Sequence, residues 1–293
     1  MTKIEPNLQI MTAVAGGPSL LEAQLSAIGK FFPVYAKVLV IDDSRRRRHY
    51  SNNQEHGSVK RLRKVAEANG ANYIRMPQYL HFMRKRLFQN PHPNPKLTSY
   101  PSLRHADALQ YGLSVLGPNI NQLVFLDSDM LPIADFVPEI YFVEAPVWFL
   151  PQERSGPNGK IVYPWPGLFF ADLTKIDVPS FMNWDCALID GVGLDAGGEM
   201  RTWMEANADK AKRITGLHGG EWKWSKDSSS IPASLEQFLK FDAKQNNDRQ
   251  YCEFFLGTFL HLRAGSNWEP AKRDVFQERV KLFTDGIKVL TTD

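Results

Sequence analysis

The spacing of apolar residues changes along the chain from runs and alternation to a 3.6-residue stripe and back. Leu8 to Ala15 is a largely apolar run that ends at Gly16-Gly17-Pro18, the pattern of a buried strand. Ser19-Leu20-Leu21-Glu22 has the form of a capping box, and Leu21, Leu25, Ile28 and Phe32 then mark one face of an amphipathic helix. Lys37-Val38-Leu39-Val40-Ile41 predicts a second strand, closed by Asp42-Asp43-Ser44. A helix over about Ser58 to Asn69 and a short strand from Ala71 to Met76 complete an opening β-α-β-α-β. That alternation predicts a mostly parallel central sheet with helices on both faces, the Rossmann-like α/β class.

Tyr79 to Tyr100 interrupts the rhythm with Pro91, Pro93 and Pro95 and reads as a long loop. Pro101 to Leu116 predicts a helix with Leu103, Leu109, Leu113 and Leu116 on one side. Further on, Pro146 to Glu153 and Tyr163 to Leu173 predict two strands around a Gly/Pro hairpin loop. Asp195 to Ala206 predicts a helix entered through Gly191 and Gly193. Glu253 to Arg263 predicts one long strand, and Lys272 to Leu290 a terminal helix. No repeat and no linker divides the chain, so residues 1–293 are expected to form a single domain with halves at 1–135 and 136–293.

The most informative run is Gln122-Leu123-Val124-Phe125-Leu126-Asp127-Ser128-Asp129-Met130. A buried strand ends in two carboxylates one residue apart. Side chains at i and i+2 leave a strand on the same side, so Asp127 and Asp129 can approach one cation together at the sheet's C-terminal edge. That edge is where open α/β sheets bind ligands. Two hard oxygen ligands are too few for a closed cage, and they suit Mg²⁺ or Mn²⁺ completed by water and substrate phosphates. The plain structural alternative is an Asp-Ser-Asp turn whose side chains cap backbone N–H groups.

Composition narrows the class without deciding it. A 43% hydrophobic and 23% charged chain of 293 residues is ordinary for a globular protein, and no apolar run approaches the roughly 20 residues of a membrane span. The N-terminal Met1-Thr2-Lys3-Ile4-Glu5-Pro6 is polar, without a signal-peptide core. Cys186 and Cys252 give no disulfide framework, and a cytoplasmic location is the expectation. A net charge of +3 does not point to nucleic acid. Arg45–Arg48, with Lys60, Arg61, Arg63, Lys64, Arg84, Lys85 and Arg86, leaves open a phosphate-bearing partner, peripheral contact with an anionic membrane, or simply a solvated basic face.

The order strand–Gly–helix, then Val38 to Ser44, then Arg104-His105-Ala106, then Phe125 to Asp129 resembles the GT-A class of nucleotide-sugar glycosyltransferases, family 2 in particular. The resemblance covers about residues 8–135 well and the rest loosely. It implies a metal-dependent transferase that moves a sugar from a nucleoside diphosphate sugar to a hydroxyl acceptor such as a glycan. It implies that Asp42 and Asp43 hold the nucleotide, that Ala15 and Ser128 line the donor site, and that Asp127 and Asp129 flank the metal. Arg104 would clamp phosphate. Where the family carries Arg-Asn, this chain has Arg104-His105, and the later Glu-Asp and processive motifs are absent.

A nucleotidyltransferase is a second reading, disfavoured because Ala15-Gly16-Gly17-Pro18-Ser19 lacks the cations of its phosphate loop. A non-catalytic carbohydrate- or nucleotide-binding module is a third. His261, at the end of Phe254 to Arg263, is the expected third metal ligand, as in several GT-A enzymes with a late histidine; a histidine bonded within the sheet is the alternative. An inverting transferase needs a carboxylate to take the acceptor proton. Asp195, at a predicted helix start beyond a Gly-rich stretch, is the first choice and Asp190 the reserve. Trp222 and Trp224 could stack on an acceptor sugar, while most of the seven tryptophans are expected in the core.

Overall fold

Strand β1 (Leu8–Val14) is buried over nearly its whole length and sits inside the central sheet, flanked by β2 (Lys37–Asp42) and β4 (Gln122–Asp127). The computed structural model describes residues 7–15, 17–44, 58–81, 101–116, 119–176, 182–217, 231–245, 252–263 and 273–292. Gly16, Arg45–Arg48, most of the 79–100 loop, His218, Trp222 and Trp224 lie outside the described residues. Strand β3 (Asn72–Arg75) extends the sheet beyond β2, and β3, β2, β1 and β4 are parallel. Beyond β4 come β7 (Gly159–Asp172) and β6 (Val147–Gly156), a long antiparallel hairpin, and then β10 (Ala211–Arg213), parallel to β6. The sheet is therefore mostly parallel, as expected.

Its two faces carry different helices. Ile10, Val14, Val40, Val124 and Leu126 meet α1 (Pro18–Phe31) and α2 (Ser58–Ala68) through Leu21, Leu25, Ile28, Phe32 and Leu62. Met11, Leu39, Ile41, Leu123 and Phe125 face Ala108 and Leu109 of α3 (Pro101–Val115). Each fully buried side chain of this kind contributes about 1.5–3 kcal/mol. Helix α1 is buried on a second side too, because Leu20, Ala23 and Ala27 join a separate cluster. That cluster lies under a four-stranded antiparallel sheet: β11 (Gly216–Leu217), β12 (Glu253–Phe255), β13 (Phe259–His261) and β5 (Met130–Pro132). After the short α4 (Pro138–Phe142) and α5 (Arg201–Ala206), helices α6 (Glu236–Gln245) and α7 (Arg273–Thr292) close it with Phe238, Phe283 and Ile287. Among the described residues no helix is long and apolar enough to cross a membrane.

Three local expectations are corrected. The capping box is not used: Pro18 takes the first helical turn, Gly17 is the N-cap, and no side chain caps the helix. Proline at this position loses no helical hydrogen bond, so the helix starts ahead of Ser19. The predicted 195–206 helix starts later, as a 3₁₀ turn (Gly198–Met200) that runs into α5. Residues Ala187–Ile189 and Val192–Leu194 instead form a small hairpin, β8 and β9, around Asp190 and Gly191. At Gly197, with φ of 93°, a Cβ would lie 2.1 Å from the Pro164 carbonyl, and this tight bend keeps the helix from beginning earlier. The predicted long strand Glu253 to Arg263 is a hairpin, β12–β13, turning at Leu256 and Gly257 with φ of 55° and 67°. Two successive positive φ values match the right-handed twist of paired strands.

Candidate metal and donor site

Asp127 is the last residue of β4, and Ser128 and Asp129 carry the chain from the central sheet into β5 of the second sheet. The turn is pinned from below by Gln24 of α1, a fully buried side chain that donates to the Asp127 carbonyl at 2.6 Å and the Met130 carbonyl at 2.9 Å. Asp127 Oδ1 accepts from the Ser128 N–H at 2.8 Å, as the turn-capping alternative requires. Asp129 is 5% exposed. Burial and the neighbouring Asp129 charge together raise the Asp127 pKa, and the fields of His105 and His261 lower it by less.

Strand pairing brings His261 to this corner. β13 runs beside β5 with His261 opposite Met130, and the Leu262 N–H donates to the Asp129 carbonyl at 2.8 Å. His261 Nε2 lies 3.3 Å from Asp129 Oδ1, while Nδ1 lies 2.7 Å from Oε2 of Glu253, its partner across the hairpin. Burial alone would lower the imidazole pKa, but the Asp129 and Glu253 carboxylates outweigh it and hold the group up at about 10. The Trp165 ring covers the imidazole at 5.0 Å between centroids. Arg263 Nη1 reaches Glu253 Oε1 at 3.7 Å.

The donor set of two carboxylates and one imidazole suits Mn²⁺ in kind, and the imidazole suits it better than Mg²⁺. Cis ligands about 2.1 Å from an octahedral ion are about 3 Å apart, close to the Asp129–His261 spacing. Among the described residues no three His, Cys, Asp or Glu side chains are already gathered at one point that could hold a metal ion.

The second pair of acids has a different setting. Asp42 has no exposed surface: Oδ1 accepts from the Ser44 N–H at 2.7 Å, and Oδ2 accepts from the Tyr73 hydroxyl and lies 3.6 Å from Arg75 Nη1. Asp43 Oδ1 receives Arg104 Nη2 at 2.7 Å, His81 Nε2 at 2.8 Å and Gln78 Nε2 at 3.1 Å. His81 Nδ1 continues to Asp107 at 2.6 Å. Burial lowers the His81 pKa, but Asp107 and Asp43 prevail and raise it. Arg104, the expected phosphate clamp, is thus held on Asp43. Ala15 is exposed where β1 ends, next to the Val14 carbonyl that takes the Asp43 N–H at 2.8 Å.

Strands β6 and β7 overshoot β4, since Leu126 pairs with Leu168 and residues 159–167 run on past the acids. This overhang meets Asp195. Its Oδ1 accepts from the Ser102 hydroxyl at 2.9 Å, its Oδ2 pairs with Arg154, and its N–H donates to the Tyr163 hydroxyl at 3.3 Å. Asp190 is exposed on the β8–β9 turn, bonded to Asn158 at 3.2 Å. The structure thus sets His261 beside Asp129, two residues from Asp127, holds Arg104 on Asp43, and leaves Asp190 on the outside. Sequence reasoning missed Gln24, Glu253, His81 and Trp165; of these, only Glu253 left a local sign, a charged residue opening an apolar run. A cavity of about 470 Å³ lies at the opposite edge, between Asn7, Lys37, Asn72 and Asn119, and its lining holds no carboxylate or histidine.

No protein-family model matches the chain, and no curated protein matches it in sequence. Solved structures do resemble it. Glucosyl-3-phosphoglycerate synthase from Mycobacterium tuberculosis, solved with Mn²⁺, uridine diphosphate and glucosyl-3-phosphoglycerate, is 13% identical, with 71% of this chain and 69% of that one covered and a TM-score of 0.39. A mannosyltransferase from Pyrobaculum calidifontis, solved with GDP-mannose and Mn²⁺, is 12% identical over 98% of this chain and 73% of that one, TM-score 0.39. The bifunctional glycosyltransferase WbbM is 11% identical over 97% of this chain and 53% of that one, TM-score 0.44.

Proposed function

We propose that this protein is a metal-dependent GT-A glycosyltransferase that moves a sugar from a nucleoside diphosphate sugar to a hydroxyl acceptor. The observation that carries the reading is the Asp127-Ser128-Asp129 turn at the C-terminal edge of the central sheet, with His261 brought 3.3 Å from Asp129 by a second sheet. In this reading Asp127, Asp129 and His261 hold Mn²⁺ or Mg²⁺, and the ion supplies positive charge to the departing diphosphate. Asp43 presents Arg104 to the phosphates and faces the nucleotide, while Asp42 shapes the turn from within. Ala15 and Ser128 line the donor. Asp195, paired with Arg154, takes the acceptor proton, with Asp190 in reserve. The β6–β7 overhang, with Trp165, forms the acceptor wall.

Asp129→Ala should leave the fold intact and reduce donor turnover by about a thousandfold, the scale of several kcal/mol of lost charge stabilisation. Chelation should do the same to the native protein, and added Mn²⁺ should restore it. Full turnover in excess chelator would refute the proposal. A panel of sugar nucleotides screened with Mn²⁺ by thermal shift identifies the donor, because a ligand of the native state raises Tm.

A further inference from the structure

We propose that Glu253 is a positioning residue that aims the His261 imidazole into the metal corner, an inference that rests on the reading of that corner as a cation site. The β12–β13 register sets Glu253 directly opposite His261. Glu253 is only 8% exposed, and a carboxylate is buried at that depth only where partners offset its lost hydration. Its Oε2 lies 2.7 Å from His261 Nδ1, and its Oε1 lies 3.7 Å from Arg263 Nη1.

An imidazole is free to present either nitrogen until one of them is tied. With Nδ1 donating to Glu253, Nε2 is the nitrogen left to face Asp129, 3.3 Å away. The Trp165 ring closes the side of the imidazole at 5.0 Å, so the orientation is fixed by one bond and one wall. Carboxylates that hold the far nitrogen of a metal-bound histidine orient the ring and raise its basicity. Glu253 stands in that relation to His261, eight residues away in sequence and brought close by a three-residue loop.

The rival role is a staple that merely holds the hairpin together. The two are separated by titrating the full-length protein with Mn²⁺ alone, following the loss of the free-ion electron paramagnetic resonance signal, and repeating with Mg²⁺ in competition. Glu253→Ala should weaken Mn²⁺ binding by about 10- to 100-fold and Mg²⁺ binding much less, because only Mn²⁺ gains strongly from the imidazole. His261→Ala should show the same Mn²⁺-selective loss. Should Glu253→Ala fail to fold, Glu253→Gln keeps the shape and one acceptor, and should weaken Mn²⁺ by a few-fold with Mg²⁺ unchanged. If the Glu253 variants bind Mn²⁺ as tightly as the native protein while His261→Ala does not, Glu253 is a staple and the inference falls with the cation site intact. Equal losses for both ions have the same meaning. A native protein that takes up no Mn²⁺ overturns the cation site and this inference together.

Discussion

The two acidic corners of this protein sit on either side of β1, at the ends of β2 and β4, and they are built alike in sequence: an apolar strand that stops at carboxylates. Their surroundings differ. Asp42 and Asp43 meet two guanidiniums, from Arg75 and Arg104, and a histidine whose pKa is raised in their company. At the other corner burial and the Asp129 charge push the Asp127 carboxyl up, so its ionised form is disfavoured there. A pair matched by arginines holds the sheet edge together. Here a cationic side chain, His261, lies within ion-pair distance of Asp129, and the repulsion that remains at Asp127 is of the kind a further positive charge would relieve.

Matched substitutions should expose that difference. Asp42→Asn replaces an acceptor oxygen with a donor facing the Tyr73 hydroxyl, Arg75 or the Ser44 N–H, and should lower stability by about 2 kcal/mol in denaturant titration. Asp127→Asn, in metal-free protein, should have the opposite sign and raise stability by about 0.5–1 kcal/mol while ending Mn²⁺ binding. If both variants destabilise equally, the corners are of one kind and the comparison fails.

The smallest effect is one of pH. The His81 pKa is raised above its ordinary value near 6.5, so protonated His81 stabilises the fold. Its contribution is complete below about pH 6.5 and is lost as pH rises through the folded-state value. Tm should therefore fall across that interval, and His81→Gln should flatten this part of the profile. An unchanged slope in His81→Gln would remove His81 from the first corner's charge balance.

Local pattern was enough to read the parallel half. Leu21, Leu25, Ile28 and Phe32 are all buried where the helical stripe put them, and Asp127 and Asp129 stand at the sheet edge. Even the misread strand at Glu253 to Arg263 kept its parity. A three-residue loop, 256–258, sets 253 against 261 and 254 against 260, so Phe254, Leu260 and Leu262 share one cluster, while Leu256 at the turn packs against another. What could not be read was contact at long range. Gln24 looks like any helix glutamine, yet it meets a carbonyl 103 residues away. The helix at Asp195 was misplaced because the bend at Gly197 is imposed by the Pro164 backbone, which no local signal records.

Gln24 has a consequence for the order in which the molecule is made. The turn it pins is joined to α1 across 103 residues, and its histidine arrives on a strand later still. Contacts this distant form slowly, after shorter loops have closed. A chain emerging from synthesis thus carries Asp127 and Asp129 well before His261 exists to face them. On the proposed reading, the full donor set is assembled only with the second sheet in place, so tight cation binding would report a finished fold and not a partly folded one.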